Sequence, residues 1–274
     1  MKKIYSLFDF YIKSSLHISF CVLALIIVSC IRLNIEINFL ILFIVFNSIV
    51  IAYYFLEYVS TLPYYFFVKK MSIKKIQYLS FFCGFSLIIS LFYANILTIF
   101  FGLFLSLFCF IYVIPFNRSK KNIRNHSRIK IFIVAFCWAS VTVLFPLTNE
   151  TDIDFLNSFL LFIQRFVFVI AYTIPFEIRD LKYDSLNLKT MPQVFGIKKT
   201  KKIALFLLLL FTLINLWLSP IILNYLISDL LIALIAGYLI WISRKNQTKY
   251  FASFWVESIP LIWLIIILLL KSIN

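Results

Sequence analysis

The sequence predicts an all-α fold: a polytopic membrane helical bundle of nine transmembrane helices with its amino terminus inside. Composition is the first reason. Of 274 residues 63% are hydrophobic and only 14% are charged, and the mean hydropathy is +1.01. A water-soluble domain of this size has no use for so much apolar surface, so the solvent is lipid. Segmentation is the second reason. Nine apolar stretches, roughly 16–32, 37–57, 76–94, 96–115, 130–148, 157–178, 203–219, 221–243 and 252–270, are long enough to span. Backbone groups in hydrocarbon must be satisfied within the segment, which favours helices. Four glycines and no two-residue alternation exclude a barrel. Charge placement is the third reason. Of 26 Lys and Arg, 23 fall in the amino-terminal tail and in the loops after spans two, four, six and eight. Positive residues stay on the cytoplasmic side, which puts the tail inside and the carboxyl terminus outside, as nine spans require. The net charge of +15 is therefore a topology signal, and membrane lipid rather than nucleic acid is the expected partner.

Along the chain, the tail carries Lys2, Lys3 and Lys13. Span one follows it without a small-residue cleavage site and is expected to be retained. His17, at its start, reads as a snorkelling interfacial histidine. Span two contains Asn47, as a helix cross-link or a head-group ligand, and ends on Glu57 among Tyr53, Tyr54, Tyr58, Tyr64 and Tyr65. The loop after span four is basic, and the 149–154 loop is acidic, with Glu150, Asp152 and Asp154. Span six holds Gln164 and Arg165 well inside it. A charge at that depth faces the bundle interior or reaches water, pairing with Glu57, Glu177 or Glu257 or marking a polar cavity. Cys21, Cys30, Cys83, Cys109 and Cys137 all lie in spans and read as packing residues. Two segments echo one another 129 residues apart: Thr61, Pro63, Phe66, Lys69 and Lys70 after span two, and Thr190, Pro192, Phe195, Lys198 and Lys199 after span six. The chain is expected to be one integral membrane domain, 1–274, with four-helix halves of about 1–128 and 129–250 and a ninth helix. Repeat halves frame sites at their interface, which points between the inner ends of spans two and six.

Chemistry concentrates at the end of span six, where Glu177, Arg179, Asp180, Lys182 and Asp184 fall within eight residues. Asp180 and Asp184, four apart, share one face of a helix. Paired carboxylates hold Mg²⁺ against phosphate oxygens, and Arg or Lys nearby stabilises a leaving diphosphate. A solvated helix end with intrahelical ion pairs is the alternative.

The run Arg179-Asp180-x-x-x-Asp184-x-x-x-x-Lys189-Thr190-Met191-Pro192-x-x-x-Gly196 resembles the second aspartate-rich motif of UbiA-type intramembrane prenyltransferases. In this chain the motif's first glycine is replaced near Asn187 and Leu188, and the spacing is one residue short. Tyr112-Val-Ile-Pro115 followed by Arg118, Lys120 and Lys121 is similar to the family's Tyr-x-x-Pro segment and its basic residues. The resemblance implies a nine-helix fold and Mg²⁺-dependent transfer of an isoprenoid from a polyprenyl diphosphate to a lipophilic acceptor. It implies a location in a bacterial cell (inner) membrane. By the same resemblance, Asp180 and Asp184 are metal ligands, and with Glu57 and Glu177 they form the catalytic set. Arg118, Lys120, Lys121, Arg179, Lys189, Asn47, Tyr54 and Tyr112 are the substrate-binding candidates. The family's other carboxylate cluster, on span two, is missing, and Glu57 is the only acid there. Two further readings are a non-catalytic isoprenoid or lipid binder, and a small-solute transporter built around Arg165, Glu57 and Glu177.

Overall fold

Apolar residues on all sides leave each span no way to satisfy its backbone except as a helix, and the computed structural model is helical accordingly. It describes residues 2–58, 71–113, 127–184 and 188–272, with side chains omitted at 2–6, 72, 110–113 and 127–129. Among these residues there are ten α-helices and no strand: α1 (Lys2–Lys13), α2 (Leu16–Leu33), α3 (Phe39–Glu57), α4 (Met71–Leu91), α5 (Ile96–Val113), α6 (Ser127–Ala139), α7 (Phe155–Asp180), α8 (Met191–Leu213), α9 (Leu223–Ile242) and α10 (Ile259–Ser272). π-helical turns at Ser140–Leu144 and Phe251–Val256 extend α6 and precede α10.

A helix covers the core of every one of the nine expected stretches. Among the described residues six segments are long and apolar enough to cross a membrane: Leu16–Leu33, Phe39–Glu57, Lys130–Asn149, Phe155–Asp180, Leu223–Ile242 and Phe251–Ser272. The boundaries differ most at α8, which begins at Met191 rather than near 203. Lys198, Lys199, Lys201 and Lys202 lower the hydropathy of that turn, yet lysine is a good helix former. The tail is also helical as α1 and leads into α2 through Ser15, whose φ of 63° turns the chain.

Successive helices pack side by side from α2 to α4 and from α5 to α10, and α10 returns to α2, so the bundle closes on itself. One apolar core joins α2, α6, α7, α8, α9 and α10 around Phe168, Phe211 and Trp263; a second joins α2, α3 and α5 with Phe145. Phe39, Phe82, Phe92 and Leu234 are among many large apolar side chains left on the outside, as lipid solvation permits.

α7 is the central element. Its register is held by a buried polar network formed with α2, α9 and the turn after α8. Asp229 Oδ2 accepts from Arg32 Nη1 at 2.6 Å, Asn215 Nδ2 at 2.8 Å and Gln164 Nε2 at 2.9 Å. Its Oδ1 accepts from Ser228 Oγ at 3.2 Å. Arg165 donates to Leu25 O and Ser29 Oγ, both at 3.2 Å, and lies 4.8 Å from the Trp263 ring. The expected partners Glu57, Glu177 and Glu257 are not what Arg165 contacts. Gln164 and Arg165 precede Glu177 by more than ten residues, nearly 20 Å along the helix, which puts them toward its other end.

α1 is fastened separately. Asp9 accepts from Lys249 and from the Tyr250 hydroxyl, and Phe8 packs edge-on against Tyr250 and Phe254 at 4.9 and 5.1 Å.

Two outcomes follow for stability. Asp229→Ala leaves the Arg32 guanidinium buried without its counter-charge and should cost about 3–5 kcal/mol, read as lost thermal stability in detergent micelles. The hydrogen bond from Lys249 holds the Asp9 carboxyl below its ordinary value of 3.8. A depressed carboxyl stabilises above its ordinary value and loses that contribution as pH falls through the lowered one. Amide exchange of α1, corrected for its intrinsic rate, should therefore speed up between about pH 5 and pH 2, and Asp9→Asn should remove the pH dependence.

Candidate active site at the inner end of α7

α7 ends in a stripe. Phe168, Tyr172, Phe176, Asp180 and Asp184 recur every four residues, so each neighbours the next along a ridge that winds about 40° around the axis per step through the last turns of the helix and the turn beyond it. The rings of Phe168 and Tyr172 stack at 5.8 Å, and those of Tyr172 and Phe176 lie 6.1 Å apart. The backbone N–H groups of Tyr183 and Asp184 both donate to Asp180 O, at 2.8 and 2.9 Å, which carries the helical turn through to Asp184. Asp180 and Asp184 thus lie one turn apart. Both are partly exposed, and Asp184 Oδ2 is shielded from solvent. Arg179 Nε donates to Asp180 Oδ1 at 2.8 Å, and its guanidinium lies 5.3 Å from the Phe176 ring.

Glu177, three residues before Asp180 and seven before Asp184, lies on the same side of α7. It receives the backbone N–H of Met191 at the start of α8, and it lies within electrostatic reach of Lys130, Asp184 and Asp180. Its Oε2 is buried without a hydrogen-bond partner. The start of α8 is closed by Thr190 N–H donating to Gln193 Oε1 at 3.1 Å, with Pro192 in the first turn. Lys189, exposed, takes the left-handed conformation with φ 52°. Asn187, where the sequence suggests such a residue, lies outside the described residues. Gly196 breaks α8 with φ 74° and ψ 156°, a region essentially reserved for glycine.

The acids of span six come together as the sequence suggests. Glu57, at the end of α3, is exposed and lies within electrostatic reach of Glu257. Glu257 also feels Arg179, so the carboxyl ends of α3 and α7 both lie within electrostatic reach of Glu257, which follows the π-helical turn before α10. Asn47 and Tyr54 are buried and tie α3 to α4: Ser86 Oγ donates to Asn47 Oδ1 at 2.8 Å, Asn47 Nδ2 donates to Phe43 O at 2.8 Å, and Tyr54 bonds Gln77. Arg118, Lys120 and Lys121, with the side chain of Tyr112, lie outside what is described, as does the first half of the internal echo, Thr61 to Lys70. His17 is not a snorkelling residue. It is buried, with Nδ1 at 2.9 Å from the Tyr11 hydroxyl and Nε2 at 3.2 Å from Ser258 Oγ and 3.3 Å from Phe254 O.

Sequence reasoning missed three site residues. Lys130 was legible only as the last cation of a basic loop. Tyr172 was legible from the four-residue spacing that leads to Asp180. Glu257 was visible as an acid inside a span, but its neighbours come from elements far away in sequence.

Among the described residues no three His, Cys, Asp or Glu side chains form a preformed cation cage. Mg²⁺ needs none: one or two carboxylates suffice, with water and substrate phosphate completing its shell. The all-oxygen donors Asp180 and Asp184, with the orphaned oxygen of Glu177 beside them, fit that requirement.

Fold and site together define a multi-pass helical membrane protein with an acid-bearing helix end above an aromatic stripe. The chain belongs to the UbiA prenyltransferase family, whose sequence model matches residues 67–265. A solved structure of a digeranylgeranylglyceryl phosphate synthase is similar in fold, with a TM-score of 0.57 and 18% sequence identity over 100% of this chain and 98% of that one. Direct comparison with curated protein sequences gives no match.

The break at Gly196 yields one expected outcome. A Cβ there meets nothing within 4 Å, so the strain of Gly196→Ala is that of the backbone alone. It should cost about 1–3 kcal/mol, measured by thermal unfolding.

Proposed function

We propose that the protein is a Mg²⁺-dependent prenyltransferase that moves an isoprenoid chain from a polyprenyl diphosphate to a lipophilic acceptor. The observation that carries this reading is the α7 stripe: two acids one turn apart, continuing without a break into stacked aromatic rings. The family and the similar synthase fold support the same class of reaction. We place the chain in the membrane as nine spans with the amino terminus inside, on the distribution of its lysines and arginines. A bacterial inner membrane is the proposed location.

Asp180 and Asp184 would hold the metal ion, which when bound supplies charge neutralisation at the diphosphate oxygens. Arg179 on α7, Lys182 in the turn between the two acids, Lys130 within electrostatic reach of Glu177, and Lys189 in the segment before α8 are the cations proposed to serve this end of α7. With Arg118, Lys120 and Lys121 they balance the charge that grows as the bond between the isoprenoid C1 and the diphosphate oxygen breaks. Phe176 and then Tyr172 lie beneath, where their π faces stabilise an allylic cation and their bulk keeps water from it. An electron pair of the acceptor then forms the new bond to C1, and the acceptor loses a proton. Glu57 is proposed to act from the α3 side of the same end. Asn47 and Tyr54 act on substrate through the α3–α4 contact that they hold.

A second reading, an isoprenoid or lipid binder without turnover, is favoured by α3, where Glu57 is the one acid in Phe39–Glu57. Purified protein with labelled geranylgeranyl diphosphate and Mg²⁺ separates the two, because only the enzyme releases diphosphate when an acceptor is present. Asp180→Ala and Asp184→Ala should each lower Mg²⁺-dependent binding of the diphosphate by at least about tenfold, since each removes a charged ligand. Binding that persists without Mg²⁺ and survives both substitutions would falsify the assignment of these acids.

A further inference from the structure

A groove of about 440 Å³ runs along the seam between α8 and α9, away from the acids of α7. It is lined by Leu205, Leu209 and Thr212 on α8 and by Leu230, Leu234 and Trp241 on α9. Leu234 is 70% and Trp241 63% exposed, so the groove opens toward lipid along its outer side. Gly237, which also lines it, is buried, and a Cβ there would stand 3.2 Å from Leu205 Cδ2 and 3.7 Å from Leu208 Cδ1. A side chain at that position would occupy the floor. From Leu230 to Trp241 the lining runs about 16 Å along the helix axis. One leaflet of hydrocarbon is about 15 Å deep, half of a core of about 30 Å.

One end of the groove is cationic. Lys201 Nζ donates to Trp241 O at 2.6 Å, which satisfies a carbonyl in the last turn of α9 and fixes the ammonium at the mouth. Arg244, three residues beyond Trp241, is exposed and lies within electrostatic reach of Lys201. Lys198, Lys202 and Lys245, all exposed, flank this pair in sequence. No Asp or Glu occurs between Asp184 and Asp229, or between Asp229 and Glu257, so α8 and the end of α9 bring no carboxylate to the mouth.

We propose that the groove binds one anionic phospholipid, with an acyl chain along α8 and α9 and its phosphate at Lys201 and Arg244. The site is independent of the prenyl-transfer reading. Length and charge together select the occupant. A chain that fills a groove one leaflet deep delivers its phosphate at head-group depth, which is where the cations stand. Lys201 uses one of its three N–H donors on Trp241 O, which leaves two for phosphate oxygens. Arg244 adds a planar fork that matches the same oxygens. Trp241 and Tyr238, exposed at this end of the lining, are residue types enriched at the membrane interface. A zwitterionic head group carries the phosphate too, but its ammonium meets uncompensated positive charge. An apolar tail without an anionic head gains nothing specific, because bulk lipid solvates it equally well. Discrimination therefore comes from the mouth, and the apolar walls set where the chain lies.

The test uses the full chain in nonionic detergent micelles. It is titrated with phosphatidylglycerol or phosphatidylcholine carrying the same brominated chains, which quench tryptophan fluorescence on contact. Quenching should saturate, with phosphatidylglycerol bound at least about tenfold more tightly. Trp241→Phe should remove the saturable component, because that indole lines the groove. Arg244→Gln and Lys201→Met should each weaken phosphatidylglycerol binding about fivefold, the effect of one interfacial cation, and leave phosphatidylcholine unchanged. Lys74→Gln with Lys75→Gln removes equal charge from α4, which packs on α3, and should leave the preference unaltered. Ala233→Phe fills the groove and should abolish saturable quenching by both lipids. Each variant is to match the wild-type melting temperature within a few degrees; if Lys201→Met does not, Arg244→Gln and the α4 pair decide. Equal affinity for the two lipids, a preference that survives Arg244→Gln, or one that falls equally with the α4 pair overturns the proposal. So does saturable quenching unchanged by Trp241→Phe. Inorganic phosphate alone should not raise the melting temperature. A rise equal to that given by phosphatidylglycerol assigns the mouth to a free anion and overturns the lipid as occupant.

Discussion

The constraint on which the rest of the structure depends is the need to satisfy Asp229. An isolated carboxylate inside an apolar bundle is prohibitively costly, and here it collects donors from Arg32, Gln164 and Asn215, with Ser228 on its other oxygen. Those residues belong to α2, α7, α9 and the turn after α8, so a single charge fixes the depth and rotation of helices that apolar contact alone leaves free to slide. Arg165, next to Gln164, adds backbone and hydroxyl contacts to α2 and a stacked contact to Trp263 on α10. Specificity of packing comes from this polar network more than from apolar burial, because lipid solvates a leucine as well as another helix does.

Fixing α7 at one end determines what its other end presents. Helical periodicity turns a four-residue spacing into a ridge that winds slowly around the axis, and along it the order is ring, ring, ring, acid, acid. The arrangement matches the two parts of a prenyl diphosphate: an apolar chain that needs dry, π-rich surroundings, and a polyanion that needs a cation and solvent access. Pro175 interrupts the ladder inside this stretch, and Gln247 donates to its carbonyl at 2.8 Å, tying the active end of α7 to the segment after α9. Glu177 secures the start of α8, so the loop bearing Lys189 leaves the site at a fixed point.

The departure from the family pattern is most informative on the α3 side. That helix lacks the usual carboxylate pair, and its Asn47 and Tyr54 are engaged in holding α4. Glu57 and Glu257 supply acidity near the same end instead, one from α3 and one from just before α10. Acidic character is retained while its carrier has changed helices.

How much was legible in the sequence follows from the range of each interaction. The helices were legible because hydropathy and backbone satisfaction act within a segment, and each expected span holds a helix at its core. The pairing of Asp180 with Asp184 was legible because a spacing of four has one meaning in a helix. The start of α8 was misjudged because lysines suppress hydropathy without opposing helix formation. His17 and Arg165 were misread for another reason: their partners are 237 residues away at Phe254 and 140 residues away at Leu25.

The sequence by itself determined the class of solvent, the helices and the acidic stripe on α7, because each is written in local periodicity and composition. Only the tertiary structure decided that Glu257 comes within reach of Glu57 and Arg179, and that Arg165 answers to α2 and Trp263 rather than to Glu177. Those neighbours are set by how α10 closes the ring against α2, a relation between distant segments that no local pattern encodes.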